Sequence, residues 1–188
     1  MSDRAGRSGG RSRGAMKHVL IFLASMLGAA LLAAAAALSG VISVAANHYG
    51  SFDARADALL NAVSRASIRR HASRAANPFT GDRAATVEGL AGFRESCLSC
   101  HGAGAVAPAE FAAGLNPGAP GLDSPAIQAM SDGELFWVVS HGIRATGMPA
   151  FAGSKDEKEI WKIVAFTRRL PRLTEEETKS LRAGSQVR

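Results

Sequence analysis

The chain has 188 residues, with 22 Lys and Arg against 16 Asp and Glu, two cysteines, and 47% hydrophobic but only 6% aromatic residues. This length suits one ordinary domain, or one small domain with attached segments. The apolar content is too high for a disordered chain, and glycine follows no collagen-like period. Two cysteines exclude a disulfide-stapled miniprotein and a four-cysteine zinc site. The net charge of +6 is compatible with a protein that binds nucleic acid, so that class has to be considered.

The positive charge is concentrated in the first 84 residues. Residues 1–17 carry a net charge of +4, residues 47–84 carry +3, and residues 85–188 carry −1. The part of the chain after residue 84 therefore has no excess of basic side chains to offer to phosphates. We expect no nucleic-acid partner.

A long uncharged segment follows the basic N-terminal residues. The 28 residues Val19–Ala46 hold no charged side chain, and as a helix they would extend about 42 Å, enough for a hydrocarbon core of about 30 Å. A cleaved signal peptide is the alternative, with a small-x-small site at Ser43–Ala45, but its apolar core would be much shorter. We predict a basic cytoplasmic tail at 1–17 and a transmembrane anchor at 18–46, after which the chain lies across the membrane.

A basic amphipathic helix is predicted next, from Ser51 to Ala76. Apolar residues recur in it at helical spacing, with arginines at other positions. It could rest on anionic lipid headgroups, pack on the following domain, or serve as a solvated spacer. Because the apolar stripe is weak and rich in alanine, packing or a spacer role is favoured. Asn77-Pro78 ends the helix, and residues 47–84 form a juxtamembrane helix and linker.

The motif Cys97-Leu-Ser-Cys100-His101 carries the first chemical signal. One helical turn separates two thiols, which suits two thioether bonds to one haem, and the next residue offers an imidazole to the iron. A zinc site lacks two further ligands at suitable spacing, and a thioredoxin-like pair lacks its βαβ context. A structural disulfide between the two cysteines is also possible outside the cytoplasm.

A second element lies 47 residues after His101. The loop from His141 to Phe151 is rich in Gly and Pro and presents Met148, whose thioether is a soft ligand suited to haem iron. Met130 and His141 are rival ligands, but both have structural explanations at the ends of helices. A methionine that merely fills a gap in the core is the other alternative.

The remaining helices are indicated by capping signals. One begins at Thr86, and capping boxes at Ser131–Glu134 and Ser154–Glu157 open two more, the first ending at His141 and the second running over Lys155–Leu170. Thr174–Glu177 starts a short terminal helix. No segment shows β alternation, so the fold class is all-α.

These residues together resemble a class I cytochrome c, in particular the single-haem domain of the c-type subunit of cbb-type terminal oxidases. The resemblance covers about Thr86 to Pro171 and depends on the haem-attachment motif, the Thr146–Pro149 loop, and three residues in the outer helices: Gly89, Phe93 and Phe166. It implies that the two terminal helices of the domain cross at the glycine and the aromatics, and that Met148 is the distal ligand. It places a cytochrome c domain at 85–172, followed by a short helix and tail at 173–188.

We therefore expect one covalently attached haem c, bound by Cys97, Cys100, His101 and Met148, with His101 and Met148 on the iron. Side chains expected to line it are Leu122, Phe136, Trp137, Ile143 and Phe151, with Arg144 and Trp161 as candidate partners of the propionates. The expected function is electron transfer between respiratory or photosynthetic redox proteins, with no catalytic residue, in a single-pass protein of the bacterial inner membrane whose haem domain is periplasmic. Alternatives are a c-type haem subunit of a larger oxidoreductase, or a haem enzyme or gas-binding protein with a labile Met148.

Overall fold

The computed structural model describes residues 9–39 and 51–185, with side chains over 14–39 and 58–183. The described elements are helical and include no strand. The eight α-helices among these residues are α1 Gly9–Leu38, α2 Ser51–His71, α3 Arg83–Ser96, α4 Leu98–His101, α5 Pro125–Gln128, α6 Asp132–His141, α7 Glu157–Thr167 and α8 Glu175–Ser185. Short 3-10 helices lie at Glu110–Gly114 and Leu170–Arg172. The chain divides into two compact units between residues 45 and 46.

The first unit contains α1, an apolar helix. Its segment Gly14–Leu38 is 25 residues long and apolar enough to cross a membrane, and as a helix it extends about 37 Å. Large apolar side chains along it are exposed, among them Leu20, Phe22 and Leu32. This one helix fits a single-pass membrane anchor. The predicted end of the anchor at Ala46 lies outside the described residues.

The second unit is built on the crossing of α3 and α7. Asp82 caps α3, since its carboxylate accepts a hydrogen bond from the Ala85 amide at 3.0 Å. The predicted start at Thr86 is therefore three residues late. Where the helices cross, Gly89 lies so close to α7 that a Cβ atom would overlap the Lys162 carbonyl. Phe93 meets Phe166 edge to face, with ring centroids 5.3 Å apart, and both are fully buried.

The core around this crossing draws on distant parts of the chain. It contains Cys97 and Leu98 from the haem-attachment motif, Ala103 and Val106 from the following loop, Ile163 from α7, and Leu170 and Leu181 from the C-terminal region. Arg169 and Glu177 form an ion pair, with Nε and Oε1 3.1 Å apart, that joins the end of α7 to α8. The all-α expectation is confirmed for the part of the chain that the structure describes.

The two predicted capping boxes have different outcomes. The Ser131–Glu134 box is present at the start of α6, and Gly142 follows the helix as predicted. The Ser154–Glu157 box is wrong, because Asp156 caps α7 and pairs with Glu159. The amides of Ser154 and Lys155 instead bond to the Phe151 carbonyl in the preceding turn, so the helix begins only at Glu157. It ends at Thr167, before the predicted Leu170.

Within the second unit, the C-terminal part of α2 packs on α6. Ile68 is buried, and the ring of His71 stacks on Trp137 of α6. The helix ends at His71, five residues before the predicted end, where the Ser73 hydroxyl accepts the Ala75 amide and forms a local turn. The buried Asn77 side chain then donates to the Trp161 carbonyl at 2.9 Å and attaches the linker to α7. The predicted packing role is thus realised at this end of α2.

Candidate haem site

The haem-attachment motif occupies a single helical turn directly after α3. Cys97 follows the last residue of α3, and α4 runs over Leu98–His101. The amide of His101 bonds to the Cys97 carbonyl at 3.0 Å, which places Cys97, Cys100 and His101 around one turn. Gly102 ends the turn with a φ of +63°, and a Cβ atom there would lie 2.7 Å from the Val106 carbonyl oxygen. Glycine is therefore required directly after the motif.

The two thiols lie in different surroundings. Cys97 is 5% exposed and belongs to the core cluster, whereas Cys100 is half-buried. Both are free thiols. Burial raises the pKa of Cys97 to about 12, an effect that nearby Lys155 opposes. The Cys97 thiol is therefore neutral at physiological pH.

A backbone carbonyl holds the imidazole of His101. Its Nδ1 lies 2.8 Å from the Pro120 carbonyl oxygen. Because a carbonyl only accepts hydrogen bonds, this contact requires the proton on Nδ1 and leaves Nε2 with its lone pair available to a metal. A second partner on the other ring nitrogen is the usual way in which proteins orient a metal-binding histidine.

Met148 lies in a loop that folds back on the end of α6. Gly142 opens it with a φ of +66°, and the Ile143 amide bonds to the Met148 carbonyl at 3.2 Å. The Thr146 hydroxyl donates to the Ile143 carbonyl at 2.7 Å and accepts the Met148 amide at 3.1 Å. Ala145 has a φ of +60°, which is unfavourable for a residue with a Cβ atom. Met148 itself is half-buried in this tightly bonded turn.

The loop between α4 and α5 connects the His101 side with the Met148 side. Pro120 of this loop holds His101, and Leu115 of the same loop lies against the Met148 turn, where a Cβ atom on Gly147 would be 2.7 Å from Leu115 Cδ2. One loop therefore contacts both the helical turn that carries Cys97, Cys100 and His101 and the turn that carries Met148.

The side chains expected to line a haem are half-buried rather than enclosed. This holds for Leu122, Phe136, Trp137, Ile143 and Phe151. Phe136 stacks on Trp161 with ring centroids 4.3 Å apart, while Arg144 is exposed. Two thiols one helical turn apart, an oriented imidazole and a thioether are donors that fit a haem, and apolar side chains of the kind that pack on a haem ring lie in the same domain. The propionate roles of Arg144 and Trp161 remain predictions.

The rival ligands have structural partners of their own. Arg168 donates to the carbonyls of Gln128 and Met130 and pairs with Asp132, its Nε 2.7 Å from Oδ1, so it fixes the segment that carries Met130. The ring of His141 stacks on Trp137 at 4.8 Å, and its Nδ1 lies 3.0 Å from the Trp137 carbonyl oxygen.

Three groups that shape the site were not singled out for these roles from the sequence. The Pro120 carbonyl and Arg168 act across 19 to 40 residues and leave no local pattern. Thr146 has a detectable signal, since a hydroxyl residue two positions before another residue often accepts that residue's amide in a turn.

A match to a protein-family model independently supports the interpretation of this region as a haem site. Residues 84–166 match the model described as cytochrome c oxidase, cbb3-type, subunit III. No curated protein and no solved structure matches the chain. The matched segment contains α3, the haem-attachment motif, the Met148 loop and most of α7, which are the elements that build the site. The match over residues 84–166 supports a c-type cytochrome domain of the cbb3 type in this part of the chain, and with it a c-type haem and a role in electron transfer.

Proposed function

We propose that the protein is a membrane-anchored single-electron carrier with one haem, attached through Cys97 and Cys100 and ligated by His101 and Met148. The observation that carries the proposal is the contact between His101 Nδ1 and the Pro120 carbonyl directly after the Cys-x-x-Cys pair. It orients an imidazole with its other nitrogen available beside two free thiols.

A haem bound here supplies one iron that alternates between two oxidation states. The chain's own residues hold and shield it. Each thiol would form one thioether to a vinyl group, which would take up the thiol hydrogen. The Pro120 carbonyl holds the Nδ1 proton of His101 in place, and the apolar side chains of α6 would exclude water. Because His101 and Met148 would both bind the iron, no position would be left for a substrate, so the protein would carry electrons without catalysing a reaction.

The membrane arrangement follows from the charge distribution. The net charge of +4 over residues 1–17 favours a cytoplasmic N-terminal tail in the bacterial inner membrane and a periplasmic haem domain. Apolar α1 supports a single crossing of the bilayer. The partners are then a redox protein that donates the electron and a second that accepts it.

A second candidate is a c-type haem subunit within a larger oxidoreductase. The family match favours this candidate, because the matched family is described as a subunit of a cytochrome c oxidase. Purification in mild detergent distinguishes the two: a subunit co-purifies with stoichiometric partner chains, whereas a carrier is recovered alone.

The ligand assignment is tested by replacing Met148→Ala, with Met130→Ala and His141→Ala as matched controls. We expect loss of Met148 to lower the reduction potential and to open the iron to cyanide or carbon monoxide, because the thioether raises the potential and fills the sixth position. Optical spectra and redox titration of the detergent-solubilised protein provide the measurement. An unchanged potential in Met148→Ala, with a fall in one of the controls, would move the ligand to that residue. Rapid cyanide binding by the unaltered protein would favour a haem enzyme or gas-binding protein.

A further inference from the structure

Helix α2 presents two different faces. Ile68 faces the domain and is 7% exposed, whereas Leu59, Leu60 and Val63 are 65%, 53% and 57% exposed. Nine residues separate Leu59 from Ile68, which at 3.6 residues per turn places them on opposite sides of the helix. Leu59 and Val63 therefore point away from the domain on which the C-terminal end of α2 packs, and Leu60 lies at the side of the helix between them and Ile68.

This apolar stripe is accompanied by a cluster of arginines. Arg65, Arg69, Arg70 and Arg74 are all exposed, and no Asp or Glu occurs in the sequence between Ala58 and Gly81. Arg70 follows Val63 by seven residues, two turns along the helix, so its aliphatic stem continues the stripe and its guanidinium can reach outward. Apolar side chains beside unneutralised guanidinium groups are complementary to a surface that is negative outside and hydrocarbon inside.

We propose that Leu59, Leu60 and Val63 insert into the headgroup region of an anionic lipid bilayer, with Arg70, on the same side of the helix, on the lipid phosphates. The proposal uses the anchoring of α1 and does not depend on the ligands of the haem. Only 11 residues separate the described end of the first segment, Ser39, from Ser51, so the bilayer that holds α1 is present at high effective concentration. The lipid-bound helix, fixed to the domain through Ile68 and Asn77, would hold the haem domain at the membrane in one orientation.

The test measures protection of single cysteines in the full-length haem-loaded protein, reconstituted in lipid nanodiscs. Leu59→Cys reports on the apolar stripe, and Asn61→Cys, an exposed position on the other side of the helix, is the matched control. A membrane-impermeant maleimide is the probe, and the unaltered chain gives the background from Cys97 and Cys100. In nanodiscs of phosphatidylglycerol and phosphatidylcholine, we expect Leu59→Cys to be labelled at least about tenfold more slowly than in phosphatidylcholine alone. Labelling of Asn61→Cys should be the same in both lipids.

A single variant tests the arginine separately. Arg70→Gln in the Leu59→Cys background should speed labelling in the anionic nanodiscs, because the cation contributes to the attraction, whereas Arg65→Gln, on the other side of the helix, should not. Fast labelling of Leu59→Cys in both lipids would overturn the proposal. So would protection in native membranes combined with fast labelling in anionic nanodiscs, which would assign the stripe to a protein partner. Unchanged protection in the Arg70→Gln variant would contradict the role of Arg70.

Discussion

Gly89 shows how one residue determines the approach of two helices. Its missing side chain lets the backbone of α3 lie on the Lys162 carbonyl of α7, where a Cβ atom would overlap the carbonyl oxygen. Gly92, one turn later, faces the side chain of Ile163 instead, and a Cβ atom there would be 3.0 Å from Ile163 Cγ1. A flexible side chain can move aside, whereas the backbone of a packed helix cannot.

We therefore expect Gly89→Ala to destabilise the domain by about 2–4 kcal/mol. Gly92→Ala is the control and should change the free energy of unfolding by less than about 1 kcal/mol, since the gain in helix propensity offsets the crowding. Guanidinium unfolding of the haem-loaded protein, followed by circular dichroism, measures both. Equal losses in the two variants would show that helix crossing does not depend on Gly89.

The site residues differ in how far a sequence can predict them. Cys97, Cys100 and His101 were predicted because their spacing is local and the chemistry needs one helical turn. The Pro120 carbonyl was not, because a backbone oxygen has no signature in the sequence and the loop of 18 residues between it and His101 has no regular pattern. The attachment and ligand roles of the two cysteines, of His101 and of Met148 all stay predictions, although the Thr146 hydroxyl explains how the Met148 turn is held.

At the scale of elements, α8 depends on a single carboxylate. Glu177 accepts hydrogen bonds from the Thr174 amide at 2.6 Å and from Arg169 at 3.1 Å. Burial raises the pKa of Glu177, but the hydrogen bonds from Thr174 and Arg169 outweigh it, so the net pKa lies below its ordinary value of 4.5. The same residue thus caps α8 and ties it to the end of α7, while Leu181 of α8 is fully buried in the core.

The lowered pKa predicts an acid-sensitive attachment of α8. A carboxylate with a lowered folded-state pKa stabilises the fold fully above its unfolded pKa and loses that contribution as the pH falls through the folded value. Glu177→Gln should cost about 1 kcal/mol near pH 7 and less in acid, at a pH below the folded-state pKa of Glu177. Denaturant unfolding at both pH values measures this, with exposed Glu176→Gln as the control. A cost that does not change with pH would show that the charge of Glu177 is not involved.

The predicted elements were more accurate in type than in their boundaries. The start of α8 at Thr174–Glu177 is confirmed, and reciprocal hydrogen bonds join these two residues. The start of α7 was misplaced because Ser154 and Asp156 both suit an N-cap, and only the turn around Phe151 selects between them. The choice between these two N-caps depends on hydrogen bonds to Phe151, which lies before the four residues that form a capping pattern.

For the whole molecule, the net charge of +6 separates into parts with different roles. The cytochrome domain is close to neutral, and two lysines of its C-terminal half are paired with carboxylates of α3: Lys155 with Glu95, and Lys162 with Glu88. The excess positive charge lies in residues 1–84, where we propose that it sets the orientation in the membrane.

This separation predicts the topology of the chain. Alkaline phosphatase fused after α8 should be active in a bacterial host, because that enzyme requires export, and a green fluorescent protein fusion at the same point should be dark. Replacing the four arginines of residues 1–17 by glutamine should reduce phosphatase activity several-fold, since they hold the tail in the cytoplasm. An active phosphatase on a fusion to the N-terminal tail would reverse the proposed orientation.

The burial of Cys97 also bears on the order in which the protein matures. Its thiol lies in a cluster with Phe166, Leu170 and Leu181, which follow it by 69 to 84 residues in the chain. Chains are made from the N-terminus onward, and contacts between distant segments form late. We therefore expect thioether formation at Cys97 to be easiest before the residues that cover its thiol have been synthesised or exported. Once Leu181 has packed in this cluster, the Cys97 thiol is buried and is no longer accessible from solution.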